Sequence, residues 1–273
     1  MADMNAIASR VHELVREGFD HEFGKPRVPM KADAHWRAIR DVGTTLWLDT
    51  GDMEEATRLW VAEFEALTTN NTLLNKEVQK GIYDGLVGKA AAAIREVAPD
   101  LEQPELLLEV AFVLNAYHGL RLVEQFDAHV SVELHTDLAH DVERTVAYGK
   151  RYYDICPERF YVKVPLTPAG YLGARKLAEC GVPINFTLGF SARHNYVAAL
   201  LSRPSYVNVF MGRLNAFVSD SGLGDGRNMG EKATLYTQRV LVGLRAAELR
   251  RRPAVPARLR ERVPGPAECL CVR

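Results

Sequence analysis

A lysine, Lys163, lies in the middle of a short apolar run from Phe160 to Leu166, between Val162 and Val164. Such a run is typical of a strand that is buried on both faces. An amine charge at a buried position is costly unless it is paired or the amine gives up its proton. Neutral lysines are the ones that form Schiff bases. Two interpretations follow: an imine-forming nucleophile, or an edge-strand lysine that keeps its charge in water.

Strand and helix patterns alternate along most of the chain. Residues 4–41 look helical, with a break around Pro26 and Pro29. Six strands are predicted, at residues 46–50, 66–70, 129–134, 160–166, 183–190 and 206–214. Helices are predicted between them, at residues 52–64, 72–126 (several helices), 138–153, 168–180 and 192–201. A glycine-rich loop at residues 219–230 is expected to lead to a last amphipathic helix that ends at about residue 249. The alternation predicts parallel strand pairing with right-handed crossovers.

Two of these helices carry local start and stop signals. Asp52 and Glu55 have the spacing of a capping box. In the helix after the lysine strand, Thr167 is the expected N-cap, Pro168 the first helical residue, and Gly181 the residue just past the end.

The predicted strands place their polar residues opposite their aliphatic neighbours, toward the C-terminal end of each strand. Lys163 faces away from Val162 and Val164 because side chains alternate along a strand. The same pattern holds for Asp49, Glu133, Asn185, Thr187 and Asn208. A doubly wound sheet has helices on both faces and needs both faces apolar. The pattern therefore favours a TIM-type (β/α) barrel with its chemistry at the C-terminal mouth.

Three regions are predicted: an N-terminal helical extension (1–44), a catalytic (β/α) barrel (45–249) and an atypical C-terminal tail (250–273). The tail has seven arginines and four prolines and lacks a strand pattern. Strands seven and eight of the barrel are therefore expected to be missing, with an irregular or short-helical tail in their place. We expect a gap between strands six and one, low stability and weak activity.

Composition narrows the class of protein. A chain of 273 residues with 47% hydrophobic and 25% charged residues is long enough for one large globular domain. A net charge of -1 gives no indication of a nucleic-acid or anionic-membrane partner. We see neither a membrane-length apolar run nor a signal peptide, and the four cysteines suit neither a disulfide framework nor a zinc site. The sequence therefore predicts a cytoplasmic protein with reduced thiols.

Six short segments occur in order on the six predicted strands. They are Leu48-Asp49-Thr50-Gly51-Asp52, Thr68-Thr69-Asn70, Val132-Glu133, Val162-Lys163-Val164-Pro165, Asn185-Phe186-Thr187-Leu188 with Phe190-Ser191, and Phe210-Met211-Gly212-Arg213. Each segment alone is a weak motif, but their order over residues 45–215 is specific. The chain resembles the transaldolase family of Schiff-base enzymes.

The resemblance implies a role for each polar residue. Lys163 would attack the ketose carbonyl and form an imine. Asp49 would act as general base on the C4 hydroxyl, and Glu133 with Thr187 would hold a water that shuttles protons. The fixed donor fork of an arginine suits a substrate phosphate, which is the role implied for Arg213. The remaining residues expected to contact substrate are Asn70, Asn185, Asn208 and Phe210.

The implied reaction moves a dihydroxyacetone unit from a ketose phosphate, such as sedoheptulose 7-phosphate or fructose 6-phosphate, to an aldose phosphate. The family carries out this transfer in the pentose phosphate pathway, without a metal or an organic cofactor. The expected partners are sugar phosphates, and neither nucleic acid nor a membrane is expected. A homodimer is compatible with the sequence.

Each assignment has a structural alternative. Asp49, with Thr50, could cap the helix that follows, and Asn70 could mark a turn. Glu133 could be a counter-ion that keeps Lys163 charged. Arg213 could be an ordinary surface arginine.

Two positions depart from the family pattern: Asn71 stands where the family usually has proline, and Asn208 where it commonly has serine.

Two further functions stay open. A fructose-6-phosphate aldolase would release free dihydroxyacetone. The resemblance implies, however, that the aldolase branch has glutamine and tyrosine where this chain has Glu133 and Phe210. An inactive sugar-phosphate-binding remnant would be consistent with an incomplete barrel.

Overall fold

The computed structural model describes residues 3–251 and 268–272 and has an α/β fold in which parallel strands alternate with helices. The chain divides into two compact units. The first comprises the described residues up to His135 together with Lys150–Tyr161. The second comprises Thr136–Gly149 and the described residues from Val162 onward. The predicted domain boundaries at residues 45 and 249 stay predictions.

The first unit contains three parallel strands and six helices that lie entirely within it. In chain order they are α1 Met4–Arg16, α2 Ala34–Asp41, β1 Leu46–Asp49, α3 Met53–Leu59, β2 Phe64–Thr68, α4 Asn71–Gln79, α5 Asp84–Val97, α6 Gln103–Phe126 and β3 His129–Glu133. β2 pairs in parallel with both β1 and β3. α1 packs against α5 and α6, because Ile7, Val11 and Leu14 recur at helical spacing and are buried.

Two elements have residues in both units: helix α7, Val142–Ile155, and strand β4, Phe160–Pro165. The second unit continues with α8 Pro168–Glu179, β5 Ile184–Thr187, α9 Ala192–Ser202, β6 Tyr206–Phe210, α10 Met211–Asp220, α11 Met229–Arg251 and β7 Glu268–Val272. A short 3-10 helix at Thr136–Leu138 precedes α7. β4, β5, β6 and β7 pair in parallel in that order.

The N-cap residues of both helices are confirmed, but the reciprocal contact of a capping box is not, because the Asp52 N–H donates to Thr50 Oγ1 rather than to Glu55. Asp52 caps α3 and accepts the backbone N–H groups of Glu54 and Glu55, each at 2.9 Å. Thr167 caps α8 by accepting the N–H of Gly170 at 2.9 Å. Beyond the last residue of α8, Gly181 has a φ of +82°, which a glycine adopts without steric cost.

Several predicted boundaries are wrong, and two of them show why. The helix predicted to reach residue 64 ends at Leu59, and Phe64 begins β2. The sixth strand, predicted to reach residue 214, ends at Phe210, and α10 begins at Met211. In both places apolar residues run across the junction, so their pattern did not mark where one element ends.

The expectation of no seventh strand is also wrong. Residues Glu268–Val272 form β7, which pairs in parallel with β6 from Tyr206 to Phe210. The prolines and most arginines of the tail precede residue 268, and residues 269–272, Cys-Leu-Cys-Val, are apolar. A short segment free of proline can supply a full set of ladder donors, whatever the composition of the residues before it. The rest of the predicted irregular tail, residues 252–267, lies outside the described residues.

Helix α6 is long and apolar enough to cross a membrane by length and composition alone, with a mean hydropathy of 1.4 over 18 residues. However, 78% of that window is buried inside the protein. Buried Leu114, Leu122 and Val123 show that its apolar surface packs in the core of the first unit. This burial is typical of the core helix of a globular protein.

Candidate active site

Lys163 lies in the middle of β4 and its side chain is buried, with 4% exposure. Its neighbour across the ladder is Asn185 on β5, which is fully buried. Val162 and Val164 face the other way and are also fully buried. Alternation along β4 places the lysine and the valines on opposite faces, and Lys163 is not a solvated edge lysine because its side chain is buried.

Thr187 and Asn208 lie on the same face, and each is buried with side-chain polar atoms that have no hydrogen-bond partner among the described residues. Thr187, two residues beyond Asn185, is 1% exposed and its Oγ1 has no partner. Asn208 on β6 is fully buried, and neither Nδ2 nor Oδ1 has a partner. A buried amide or hydroxyl that makes no hydrogen bond costs about 1–3 kcal/mol. Native proteins rarely keep such groups without a functional reason.

The backbone between β5 and β6 is shaped by one close approach. Leu188 has a φ of +66°, which is rare for a residue other than glycine, asparagine or aspartate. At Gly189, a side-chain carbon would lie 1.9 Å from the Asn208 carbonyl oxygen, so only glycine fits. The N–H of Phe210 then donates to the Gly189 carbonyl at 3.1 Å. Such strain is characteristic of functional sites.

Aromatic rings and an arginine form a cluster where β6 ends. The rings of Phe190 and Phe210 stack with centroids 5.7 Å apart. The guanidinium of Arg213 lies 5.3 Å from the centre of the Phe210 ring. Arg213 is exposed in the first turn of α10, whose N-cap, Phe210, makes no side-chain capping bond. The N-terminal N–H groups of such a helix, together with an arginine, favour an anion.

In the first unit, Asp49 is the last residue of β1 and is exposed. Across the ladder it neighbours Thr68, which in turn neighbours Ser131 on β3, so the predicted polar face also occurs here. The alternative that Asp49 caps α3 is wrong, because Asp52 is the cap. Thr50 instead donates to the Glu55 carboxylate at 2.8 Å.

Asn70, by contrast, does mark a turn. It is the N-cap of α4, and its Oδ1 accepts the N–H of Leu73 at 2.9 Å. The capping hydrogen bond uses the side-chain oxygen of Asn70 and fixes the orientation of its carboxamide. The Nδ2 group remains a donor.

Glu133 is held by two asparagines that the sequence did not single out as site residues. The Asn71 backbone N–H and its Nδ2 both donate to Glu133 Oε2, at 3.1 and 3.3 Å. Asn115, on α6, donates from Nδ2 to the Glu133 carbonyl at 2.7 Å. The sequence signal for Asn71 is its departure from the proline that the family usually has at this position.

A buried network lies beneath the loop that follows Asp49. Tyr83 Oη and His118 Nδ1 are 2.8 Å apart, and Arg121 donates to the same Oη at 3.1 Å. Because the guanidinium can only donate, we infer that the Tyr83 hydroxyl accepts from Arg121 and donates its hydrogen bond to His118 Nδ1. Burial, reinforced by the Arg121 charge and only partly opposed by contact with the Gly51 backbone, lowers the pKa of His118 to about 4. Burial also raises the pKa of Tyr83.

We expect this histidine to make the fold sensitive to acid. His118 ordinarily has a pKa of 6.5, and the folded value is about 4. Between these values the unfolded chain binds the proton and the folded chain does not, so stability is lost as the pH falls. The loss should reach about 3 kcal/mol in the free energy of unfolding.

Urea denaturation of the wild type and of His118→Gln at several pH values between 7 and 4 measures this effect. The variant should lose less stability over that interval, because glutamine does not titrate there. Other acid-sensitive groups are common to both proteins and cancel in the difference. Parallel pH profiles would contradict the assignment.

The predicted site residues therefore fall into two sets. The first unit holds Asp49, Asn70 and Glu133, and the second holds Lys163, Asn185, Thr187, Asn208, Phe210 and Arg213. Within residues 3–251 and 268–272, no group of three or more His, Cys, Asp or Glu side chains is arranged to hold a metal ion.

These features define an α/β protein that carries a buried lysine and unpaired amide and hydroxyl groups on one face of parallel strands. The family model for transaldolase/fructose-6-phosphate aldolase matches residues 46–243, most of the chain. The chain belongs to this family.

Individual relatives agree with the family. The chain is 31% identical over 172 residues to a transaldolase of Xanthomonas euvesicatoria, covering 61% of this chain and 52% of the relative. It is 33% identical over 179 residues to a probable transaldolase of Thermus thermophilus, covering 65% and 66%. It is 26% identical over 213 residues to transaldolase 2 of a Nostoc species, covering 74% and 51%. The chain thus spans about half the length of several curated relatives it matches.

Proposed function

We propose that this protein is a transaldolase, which moves a dihydroxyacetone unit from a ketose phosphate to an aldose phosphate through an imine on Lys163. The observation that carries the proposal is the burial of Lys163 on the face of the paired strands that also carries Thr187 and Asn208, two residues whose side-chain polar groups have no hydrogen-bond partner among the described residues. We further propose that the parallel strands belong to a TIM-type (β/α) barrel. The reaction would run in the cytoplasmic pentose phosphate pathway, with no metal or organic cofactor.

In the first step the Lys163 amine attacks C2 of the ketose and forms a carbinolamine, which then loses water to give an iminium ion. One hydrogen of the amine leaves with the carbonyl oxygen, a proton delivered through a bound water completes the departing water molecule, and the other amine hydrogen stays on the iminium nitrogen. Glu133 and Thr187 would hold the water that carries these protons. The unpaired Thr187 Oγ1 supports this role, because a hydroxyl both donates and accepts.

In the second step Asp49 removes the proton of the C4 hydroxyl. C4 becomes a carbonyl, the C3–C4 bond breaks, and its electron pair moves into the iminium, which becomes an enamine. The enamine carbon then attacks the acceptor aldehyde, and the new alkoxide takes back the proton from Asp49. Water hydrolyses the restored iminium and frees Lys163.

Polar side chains are available to bind the hydroxyls and the phosphate of the donor sugar. Within the described part of the chain, the two donor hydrogens and the acceptor oxygen of the Asn208 side chain have no partner, which suits a hydroxyl of the retained three-carbon unit. Asn185 neighbours Lys163 in the ladder, and Asn70 has a donor Nδ2 beyond its capping bond. Arg213, in the first turn of α10 and against Phe210, would bind a phosphate by charge-assisted hydrogen bonds.

Product analysis tests the proposal directly. Incubation with fructose 6-phosphate and erythrose 4-phosphate should yield a seven-carbon ketose phosphate, measured by mass spectrometry. Release of free dihydroxyacetone from fructose 6-phosphate alone would instead favour the aldolase. An absence of both products would favour an inactive sugar-phosphate-binding protein.

We expect Arg213→Ala to weaken the use of phosphorylated ketoses selectively. Loss of a charge-assisted contact should raise KM for fructose 6-phosphate by roughly 10- to 100-fold. The rate with unphosphorylated dihydroxyacetone should stay close to that of the wild type. Steady-state kinetics with both donors measures the difference.

Arg175→Ala is the matched control, because Arg175 is exposed on α8 and pairs with Glu179 at 3.1 Å. It should leave both donors unaffected. Equal losses on the two donors in Arg213→Ala would show that Arg213 supports the fold rather than the phosphate.

A further inference from the structure

Helix α4 begins by binding the side chain of another element. Asn71 is its first residue, and both its backbone N–H and its Nδ2 donate to Oε2 of Glu133. The same Nδ2 also donates to the Leu134 carbonyl at 3.1 Å, so the carboxamide is itself fixed. The carboxylate therefore lies at the N-terminus of α4, where the unpaired N–H groups and the helix dipole favour a negative charge.

Helix α4 does not need the hydrogen bonds between Asn71 and Glu133 in order to form. An N–H at the first helical position has no partner inside the helix, so proline is well tolerated there. The helix would form with a proline at residue 71, because Asn70 supplies the cap. Asparagine instead provides two donors that a proline lacks, and both meet one carboxylate oxygen.

The backbone of Glu133 is anchored separately. Asn115 is 3% exposed and donates to the Glu133 carbonyl from α6. With the main chain held by one asparagine and the carboxylate by another, the glutamate has few rotamers left. Such pre-organisation matters most for a group that must transfer protons at a defined place.

We propose that Asn71 is a positioning residue that holds the Glu133 carboxylate for the proton transfers of imine formation. The inference rests on the proposed function, in which Glu133 serves the loss of water from the carbinolamine. Asn71 does this without contacting the substrate, and its effect falls on the formation of the imine rather than on the affinity for the donor sugar.

Single-turnover trapping separates these effects. Fructose 6-phosphate is mixed with excess enzyme, and samples are reduced with borohydride at successive times to measure the rate of imine formation. Asn71→Ala keeps the N–H but removes the amide, and should slow imine formation on the order of 10-fold. Asn71→Pro removes both donors and should slow it further. KM for the donor should change less than twofold in either variant.

Asn75→Ala is the matched control, because Asn75 is an exposed asparagine one turn along α4. It should form the imine at the wild-type rate. Circular dichroism and urea denaturation should show that Asn71→Pro retains the fold, as expected for proline at a first helical position. If Asn71→Pro unfolds, the inference is tested with Asn71→Ala alone and with Asn71→Ala combined with Glu133→Gln.

A double-mutant cycle distinguishes positioning from a general structural role. In a Glu133→Gln background, Asn71→Ala should cause less than a twofold further loss, because the group that it positions has gone. A full 10-fold further loss, or wild-type imine formation in Asn71→Ala and Asn71→Pro, would overturn the inference while leaving the proposed function intact. No trapped imine in the wild type would overturn the proposed function itself.

Discussion

Borohydride reduction in the presence of fructose 6-phosphate is expected to leave a covalent sugar adduct on Lys163, and Lys163→Met should abolish it. Turnover should fall by about 10⁴-fold or more, because residues that form the covalent intermediate carry the largest effects. Peptide mass spectrometry of the reduced protein identifies the modified lysine. The expectation follows from the burial of Lys163 and from its Asn185 neighbour on β5.

Other lysines provide the controls. Lys80 pairs with Asp52 at 2.8 Å and with Glu77 at 2.6 Å, and these bonds raise its pKa above the ordinary value. It therefore stays protonated and is a poor nucleophile. Lys176 is exposed, and Lys176→Met should retain both adduct and turnover. An adduct on Lys80 or Lys176, with Lys163 unmodified, would refute the central assignment.

Replacing Asp49 should give the second large effect and should separate the two halves of the reaction. A general base contributes about 10²- to 10⁴-fold, so Asp49→Asn should lower kcat by that factor. The loss should fall on kcat rather than on KM, because the carboxylate acts when the C3–C4 bond breaks. Imine formation precedes that step, so borohydride should still trap the ketose on Lys163. Steady-state kinetics together with trapping measures both steps.

Asp52→Asn is a matched control three residues away. Asparagine caps helices as well as aspartate does, so α3 should keep its start. The lost ion pair with Lys80 is partly exposed and contributes little. We expect near wild-type kcat from this variant. An Asp49→Asn enzyme with unchanged kcat and a raised KM would reassign Asp49 to substrate binding.

The sequence by itself determined the order of strands and helices and the direction of most polar side chains. Alternation along a strand is a local property, so Lys163 and its valines could be assigned to opposite faces. Caps are equally local, which is why Asp52 and Thr167 were identified correctly. The six motifs placed the chain in its family, and the family model confirms it.

Local patterns failed where the same composition suits two structures. The apolar pattern of β6 continues into α10, so Arg213 was assigned to a strand although it lies on a helix. The tail was judged on its average content of arginine and proline, which concealed the short β7 at its end. An edge strand forms when a partner offers a free ladder, and a partner cannot be read from the segment itself.

Only the tertiary structure decided which polar groups are held and which lack partners. Asn71 and Glu133 are 62 residues apart, and Tyr83 and His118 are 35 residues apart. Packing of β3 beside α4 and of α6 beside α5 creates these contacts, and no period in the sequence encodes them. The orphaned amide of Asn208 is likewise a property of burial. Periodicity predicts the face of a helix or strand on which a side chain lies. Its hydrogen-bond partner comes from a distant part of the sequence and is set by the tertiary packing.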